Sequence, residues 1–337
     1  MVQSSNLLPF LPFENDALHL EPNTSYISFG FDQCPPTEWQ NHLDNIQTWR
    51  PSYLRLKHGG FNCQSKLLDS KIYDGGFLIL SKHKRRNQQY FLQLLQVVKP
   101  QGKIIICGDK NLGVQSMRKW VSQLYDIEGN LAKYHGQCFW FTRPDTLSLN
   151  KIETTHIQSI TFNDQFMTMP GMFSHGRIDP GSQLLINTIE HDIKGDVADF
   201  GAGWGFIAAK LLEKFPKISQ LDLFEADLDA LEAAKGNIVA QAESRNVNYY
   251  WYDLLTEKPE ISYDWIISNP PFHEGRASDS SIGQNFIARA FDALKPKGQL
   301  MLVANKQLPY EKLLSEKFSV VEKRLEQQGF KIIYAKK

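Results

Sequence analysis

The chemistry of this chain is concentrated at Asn269-Pro270-Pro271-Phe272, which follows the apolar run Trp265-Ile266-Ile267 after the single residue Ser268. A segment reading as a buried strand thus ends in two residues that cannot donate a backbone hydrogen bond. Proline offers its carbonyl with no competing N–H and fixes φ, so Pro270 and Pro271 form a stiff corner lined with acceptors. An exocyclic amine on a purine is a poor nucleophile because its lone pair is delocalised into the ring. If the Asn269 side-chain oxygen and the Pro270 carbonyl accept its two hydrogens, the nitrogen is held with its lone pair toward an electrophile. Orientation of this kind contributes on the order of several kcal/mol without a strong base. Phe272 would stack on a base that has left its helix. His273 beside it reads as solvent-facing. Termination of an edge strand is the plain structural alternative for the two prolines.

A second constellation is Asp199-Phe200-Gly201-Ala202-Gly203-Trp204-Gly205, placed between a short apolar run and a helical pattern. Glycine permits backbone torsions closed to other residues and close approach of a ligand, and the helix that follows offers unpaired N–H groups. The next apolar run ends in Glu225-Ala226-Asp227, with Glu225 24 residues after Gly201. That is near the ~20-residue offset at which an acid receives ribose hydroxyls in dinucleotide folds. Asp227 reads as the cap of the following helix. A third run ends in Asp253-Leu254, suited to an adenine amino group and ring, although Asp also forms turns readily. The glycine spacing is G-x-G-x-G and not the G-x-G-x-x-G of a pyrophosphate binder, which favours S-adenosylmethionine over NAD. Asp199 is then placed to order the cofactor's ammonium group.

The elements that position these residues alternate. From about residue 196, short apolar strands are separated by helices, which predicts a parallel sheet covered on both faces. The N-terminal half echoes this ending. In residues 94–110, Lys99, Pro100, Gly102 and Lys110 match Lys295, Pro296, Gly298 and Lys306 of residues 291–306. "GGFLILSKHKRR" stands where "YDWIISNPPFHE" stands later, so the chain reads as a duplicated α/β unit whose first copy lacks the glycine turn and the N-P-P corner. The polar, weakly periodic stretch 143–165 predicts a boundary near residue 150, giving domains 1–150 and 151–337. Lys82, Lys84, Arg85 and Arg86 of the first copy form a cluster that would position phosphates without reading sequence. A solvated basic loop is the alternative.

Bulk properties agree with two soluble domains. The 337 residues are 42% hydrophobic and 22% charged, with 37 basic and 37 acidic side chains, so any nucleic-acid surface must be a local patch. The four cysteines form no C-x-x-C pair, and neither a metal site nor a disulfide framework is indicated. No stretch resembles a signal peptide or a membrane span, so a cytoplasmic location is expected.

"MPGMFSHGRIDPGSQLLINTI" (169–189), "DFGAGWG", "SNPPFHEG" and "VANKQLPYEKLLSEKF" (303–318) together resemble the bacterial ribosomal RNA guanine-N2 methyltransferases, most closely the 16S small-subunit type. The resemblance is strong from about residue 166 onward and weaker over 99–116. It implies two tandem class I methyltransferase (Rossmann-like) domains, the N-terminal one degenerate, with an antiparallel final strand at "FKIIYAKK". It implies S-adenosylmethionine as cofactor, bound by Asp199, Phe200, Gly201, Ala202, Gly203, Gly205, Glu225, Ala226, Asp253, Leu254 and Asn269. It assigns Asn269, Pro270, Pro271 and Phe272 to catalysis, and places Asp179, Gly181 and Ser182 near the cofactor. Ribosomal RNA, within the small subunit or an assembly intermediate, is the implied partner of a chain expected to act as a monomer. Phe200 and Trp204 depart from the smaller or aliphatic residues frequent in this family. Rival readings are a 23S guanine-N2 enzyme, a protein-glutamine N5 or adenine-N6 methyltransferase, a non-catalytic RNA-binding protein, and an NAD oxidoreductase.

Overall fold

The computed structural model describes residues 4–68, 71–147, 159–162, 165–190, 192–243, 245–271 and 280–337. The chain divides into two compact units, Met1–Gln158 and Ser159–Lys337. In the first, strands β1 (Tyr26–Phe29), β2 (Leu43–Ile46), β3 (Asn62–Gln64), β4 (Tyr73–Ile79), β5 (Val98–Asp109), β6 (Gly129–Lys133) and β7 (Gly136–Thr142) form a sheet of order β3-β2-β1-β4-β5-β7-β6. The second begins with a hairpin, β8 (Ile160–Phe162) and β9 (Phe166–Thr168). Its main sheet joins β10 (Gly195–Phe200), β11 (Ile218–Glu225), β12 (Asn246–Trp251), β13 (Tyr263–Ser268), β14 (Leu294–Asn305), β15 (Val320–Gln327) and β16 (Phe330–Lys336) in the order β12-β11-β10-β13-β14-β16-β15. The two orders are the same. In each, the last strand in sequence or its counterpart, β7 or β16, runs antiparallel between its neighbours.

The central strands of the second unit are apolar on both faces because helices cover both. Val197 packs in one buried cluster, while its neighbours Ala198 and Phe200 pack in another. That is the alternation a pleated strand imposes. The helix Phe206–Lys214 starts at the glycine turn, and Leu228–Asn237 starts at Asp227, whose Oδ1 accepts from the Asp229 N–H at 3.2 Å. No helix among the described residues is long and apolar enough to cross a membrane.

The duplication reaches individual side chains. Ile27 pairs with Asp44 and Gly76 as Ala198 pairs with Asp222 and Ile266, so the two sheets share one register. Asp44 accepts from the Tyr73 hydroxyl (2.9 Å) and Asn62 Nδ2 (2.7 Å); Asp222 accepts from Tyr263 (2.7 Å) and Asn248 (2.9 Å). Lys99 pairs with Asp74 at 2.6 Å, as Lys295 pairs with Asp264 at 2.8 Å. In each Lys-Pro-x-Gly turn the x residue, Gln101 or Lys297, takes positive φ, 64° and 68°.

The same register shows how the first unit lost its site. Ser28 stands where Asp199 stands, and its hydroxyl donates to Asn45 Oδ1 at 2.7 Å. Gly30 keeps the positive φ of Gly201, 94° against 79°. The next residue is Phe31 in place of Ala202, buried and stacked on Phe10 with centroids 5.7 Å apart. Gln47 replaces Glu225: its Oε1 still accepts from the backbone two residues on, Trp49 N (2.9 Å), but Nε2 donates to the Phe31 carbonyl (2.8 Å). Apolar bulk and a neutral amide thus occupy the place of a small residue and an acid.

Candidate active site

Three strand tips, those of β10, β11 and β13, meet at one edge of the second sheet. The chain leaves β10 through Gly201, Gly203 and Gly205, with φ of 79°, 54° and 89°. The Gly201 and Ala202 N–H groups both donate to the Phe224 carbonyl, at 2.9 and 3.0 Å. A Cβ on Gly205 would lie 2.9 Å from that of Ala234, so glycine there lets the two helices approach, whereas Gly203 faces open space.

Trp204, the departure from the family pattern, is a structural anchor. Its ring is buried against Phe162 and Phe166 of the β8–β9 hairpin, and Nε1 donates to the Phe173 carbonyl at 2.9 Å. Asn237 completes the clamp. Its Nδ2 donates to Trp204 O (2.8 Å) and Met167 O (2.9 Å), and its Oδ1 accepts from Met167 N (2.7 Å). Nothing in the local pattern around Asn237 marks this role; it ends a helix and reads as an ordinary polar residue.

Glu225 lies beneath the turn. Its Oε2 accepts from Gly203 N at 2.7 Å and Oε1 from Asp227 N at 2.8 Å, leaving lone pairs for hydroxyl donors. Burial pushes its pKa up to about 7, partly offset by these amides. Asp199 is fully buried, and neither carboxylate oxygen has a hydrogen-bond partner of ordinary geometry among the described residues; the nearby Ala208 N–H offsets its charge only in part. Burial first, and the Glu225 charge second, push its pKa up to about 8. An orphaned buried carboxylate beneath a glycine turn fits a ligand that brings a cation, as the ammonium of S-adenosylmethionine would.

This pair sets a pH dependence. A carboxylate whose folded pKa is near 8 and unfolded pKa near ~4 holds a proton on folding, so its contribution to stability is full below ~4 and is lost as pH rises toward 8. The ligand-free wild type should therefore lose stability relative to Asp199→Asn as pH rises from about 5 to about 8. Denaturant midpoints of the two proteins that stay parallel over that range would show that Asp199 titrates normally.

At the third tip, Ser268 Oγ donates to Phe200 O at 2.7 Å, tying β13 to β10. A Cβ on Gly201 would lie 3.5 Å from the Asn269 carbonyl, so turn and corner abut. Asn269 Nδ2 donates to Asp179 Oδ2 (3.0 Å) and Ser182 Oγ (2.8 Å). Asp179 and Ser182 thus join the asparagine, a contact the sequence did not foretell. Pro270 is buried and Pro271 exposed. Phe272 and His273 lie outside the described residues.

Other expected contacts fall differently. The Phe200 side chain is fully buried among Phe224, Tyr263 and Phe286, so a cofactor contact at this position would come from its backbone. Leu254 is likewise buried in that cluster. Asp253 adopts its turn-forming alternative, Oδ1 accepting from Leu255 N (3.0 Å) and Oδ2 from the Thr256 hydroxyl (2.7 Å), so an adenine contact would use a remaining lone pair. The Ala226 carbonyl accepts from Trp251 Nε1 at 2.9 Å, which holds β12 to the Glu225 loop. In the first unit, Lys84, Arg85 and Arg86 open the helix Lys84–Val97, whose first turn carries no acid.

The methyltransferase small domain model matches residues 163–334. The ribosomal RNA small subunit methyltransferase C of Shewanella piezotolerans is 32% identical over 333 residues, covering 96% of this chain and 92% of the relative; that of Psychromonas ingrahamii is 30% identical, covering 77% and 75%. A 16S rRNA N2 methyltransferase of T. thermophilus, solved with AdoMet and guanosine, superposes with a TM-score of 0.79 over 100% of this chain and 92% of that one, at 21% identity, and shares the fold. A domain match over half the chain, together with identity sustained across both units, settles the lineage: this chain belongs to the ribosomal RNA small subunit methyltransferase C family, built on the methyltransferase small domain.

Proposed function

We propose that this chain transfers the methyl group of S-adenosylmethionine to the exocyclic N2 amine of a guanine in 16S ribosomal RNA. The observation that carries the reading is Asn269: both donors of its amide are taken by Asp179 and Ser182, which leaves its side-chain oxygen as an acceptor, and its backbone carbonyl lies against the glycine turn. When bound, the cofactor supplies an electrophilic methyl on a sulfonium centre. Asp199 meets its ammonium, Glu225 its ribose hydroxyls, and the Gly201–Gly205 turn admits it without a clashing Cβ. The Asn269 oxygen and Pro270 carbonyl would accept hydrogen bonds from the two amine hydrogens and turn the lone pair to the methyl; as the N–C bond forms the S–C bond breaks and one amine proton is lost to water, while Phe272, two residues beyond Pro270, is assigned the stacking face. The name carried by the relatives selects small-subunit ribosomal RNA among the amine-bearing substrates that an N-P-P corner serves. The enzyme works as a cytoplasmic monomer on the small subunit or an assembly intermediate.

Tritiated methyl transfer into 16S RNA from cells lacking the protein, followed by nucleoside mapping, tests this. Label in N2-methylguanosine is expected; label in N6-methyladenosine, in 23S RNA or in protein glutamine would overturn the assignment.

The basic cluster of the first unit is assigned to RNA phosphates. Cations at a helix N-terminus are disfavoured by roughly 0.3–1 kcal/mol each, and a bound anion relieves that cost. Burial, and after it the charges of Lys82 and Arg86, depress the His83 pKa. Neutralising Lys84 and Arg85 together should weaken RNA binding and reduce the log-log salt slope by roughly one to two. An unaltered slope would show that the cluster is not used.

A further inference from the structure

We infer that Asp179 is a positioning residue that sets which end of the Asn269 amide faces the target amine. This rests on the function proposed above and deepens it. A side-chain amide has an oxygen and an NH2 of nearly equal size, and a half-turn about its last bond exchanges them. Only one orientation serves catalysis, because the reversed one sets the asparagine NH2 against the amine it must accept from.

The partners of Asn269 differ in their power to choose. Ser182 Oγ, at 2.8 Å, can donate or accept and so tolerates either orientation. The Asp179 carboxylate, at 3.0 Å, only accepts when ionised. Reversal would press the Asn269 oxygen on that carboxylate, so Asp179 makes the productive orientation the stable one.

The local sequence Asp179-Pro180-Gly181-Ser182 holds the carboxylate still. Asp179 caps the helix Pro180–Thr188, its Oδ2 accepting from Ser182 N at 2.8 Å. Pro180 at the first helical position pre-sets the entry. A Cβ on Gly181 would stand 3.0 Å from Asp179 Oδ2 and 3.1 Å from the Phe330 ring, so glycine leaves the cap its room. One carboxylate oxygen thus serves the helix and the catalytic amide at once.

The test is a double-mutant cycle in single-turnover methyl transfer, with cofactor affinity by calorimetry. Serine caps a helix as well as aspartate but carries no charge and cannot span to Asn269. Asp179→Ser should lower the methyl-transfer rate roughly tenfold or more with the cofactor Kd within about twofold. In an Asn269→Ala background the same substitution should cost nothing further, since there is no amide left to orient. Asp179→Asn, which keeps the cap and one acceptor oxygen, should fall between. Three results would overturn the inference: wild-type rate in Asp179→Ser while Asn269→Ala collapses; an equal loss in both backgrounds, the mark of a merely structural role; or a weakened Kd at unchanged rate, which would move Asp179 to cofactor binding. If Asn269→Ala itself keeps wild-type turnover, the underlying function falls first and this inference with it.

Discussion

Asn269→Ala should lower turnover by roughly a hundredfold or more while leaving S-adenosylmethionine affinity within a few-fold. The reason is geometric. In the proposed function the cofactor's groups fall to Asp199, Glu225 and the turn, and the hydrogen bonds of Glu225 and the turn do not involve the Asn269 side chain. In the proposed function alanine removes the acceptor for the substrate amine, an interaction that matters once the lone pair must turn toward the methyl. Pro270 remains and holds the corner, so the pocket survives. The loss should fall on kcat, and single-turnover kinetics beside calorimetry separate the two quantities. Wild-type turnover in this variant would reject the role of the corner and, with it, the proposed activity.

Glu225→Ala should act in the opposite sense, weakening S-adenosylmethionine binding by roughly two orders of magnitude. The carboxylate accepts from Gly203 N and Asp227 N, and its remaining lone pairs are the ones the proposed function assigns to ribose hydroxyls. A hydrogen bond to a charged group is worth roughly 1.5–3 kcal/mol, and each 1.4 kcal/mol is tenfold in affinity. Removal also leaves two turn amides to find other acceptors, so the glycine turn loosens where the ligand must pass. The first unit contains a natural version of this experiment. Gln47 at the equivalent register position turns its NH2 to the Phe31 carbonyl and presents no charge. Calorimetric titration decides the matter: a dissociation constant within about threefold of wild type would show that Glu225 does not receive the ribose.

Both predictions concern residues legible before any fold was known, and the reason is local. A glycine that must take positive φ, an acid that ends an apolar run, and two prolines after a strand all announce themselves within a few positions. Period-two burial and helical spacing do the same for the strands and helices. The duplication was readable because a Lys-Pro-x-Gly turn and its flanking strand recur, although the matching Tyr–Asp–Asn networks were not, their members lying on three strands each.

What the chain's order of residues determined by itself is therefore the tandem α/β plan, the cofactor turn and the N-P-P corner. The tertiary structure alone decided which side chains stand behind them. Asp179 reaches Asn269 across 90 residues and Asn237 reaches Trp204 across 33, distances over which no periodicity carries information. It also decided that Phe200 and Leu254 face the core and that Asp253 serves its own turn. The physical reason is that the direction of a side chain at a strand tip depends on what packs against that tip, and packing partners are chosen by the sheet order and not by nearness along the chain.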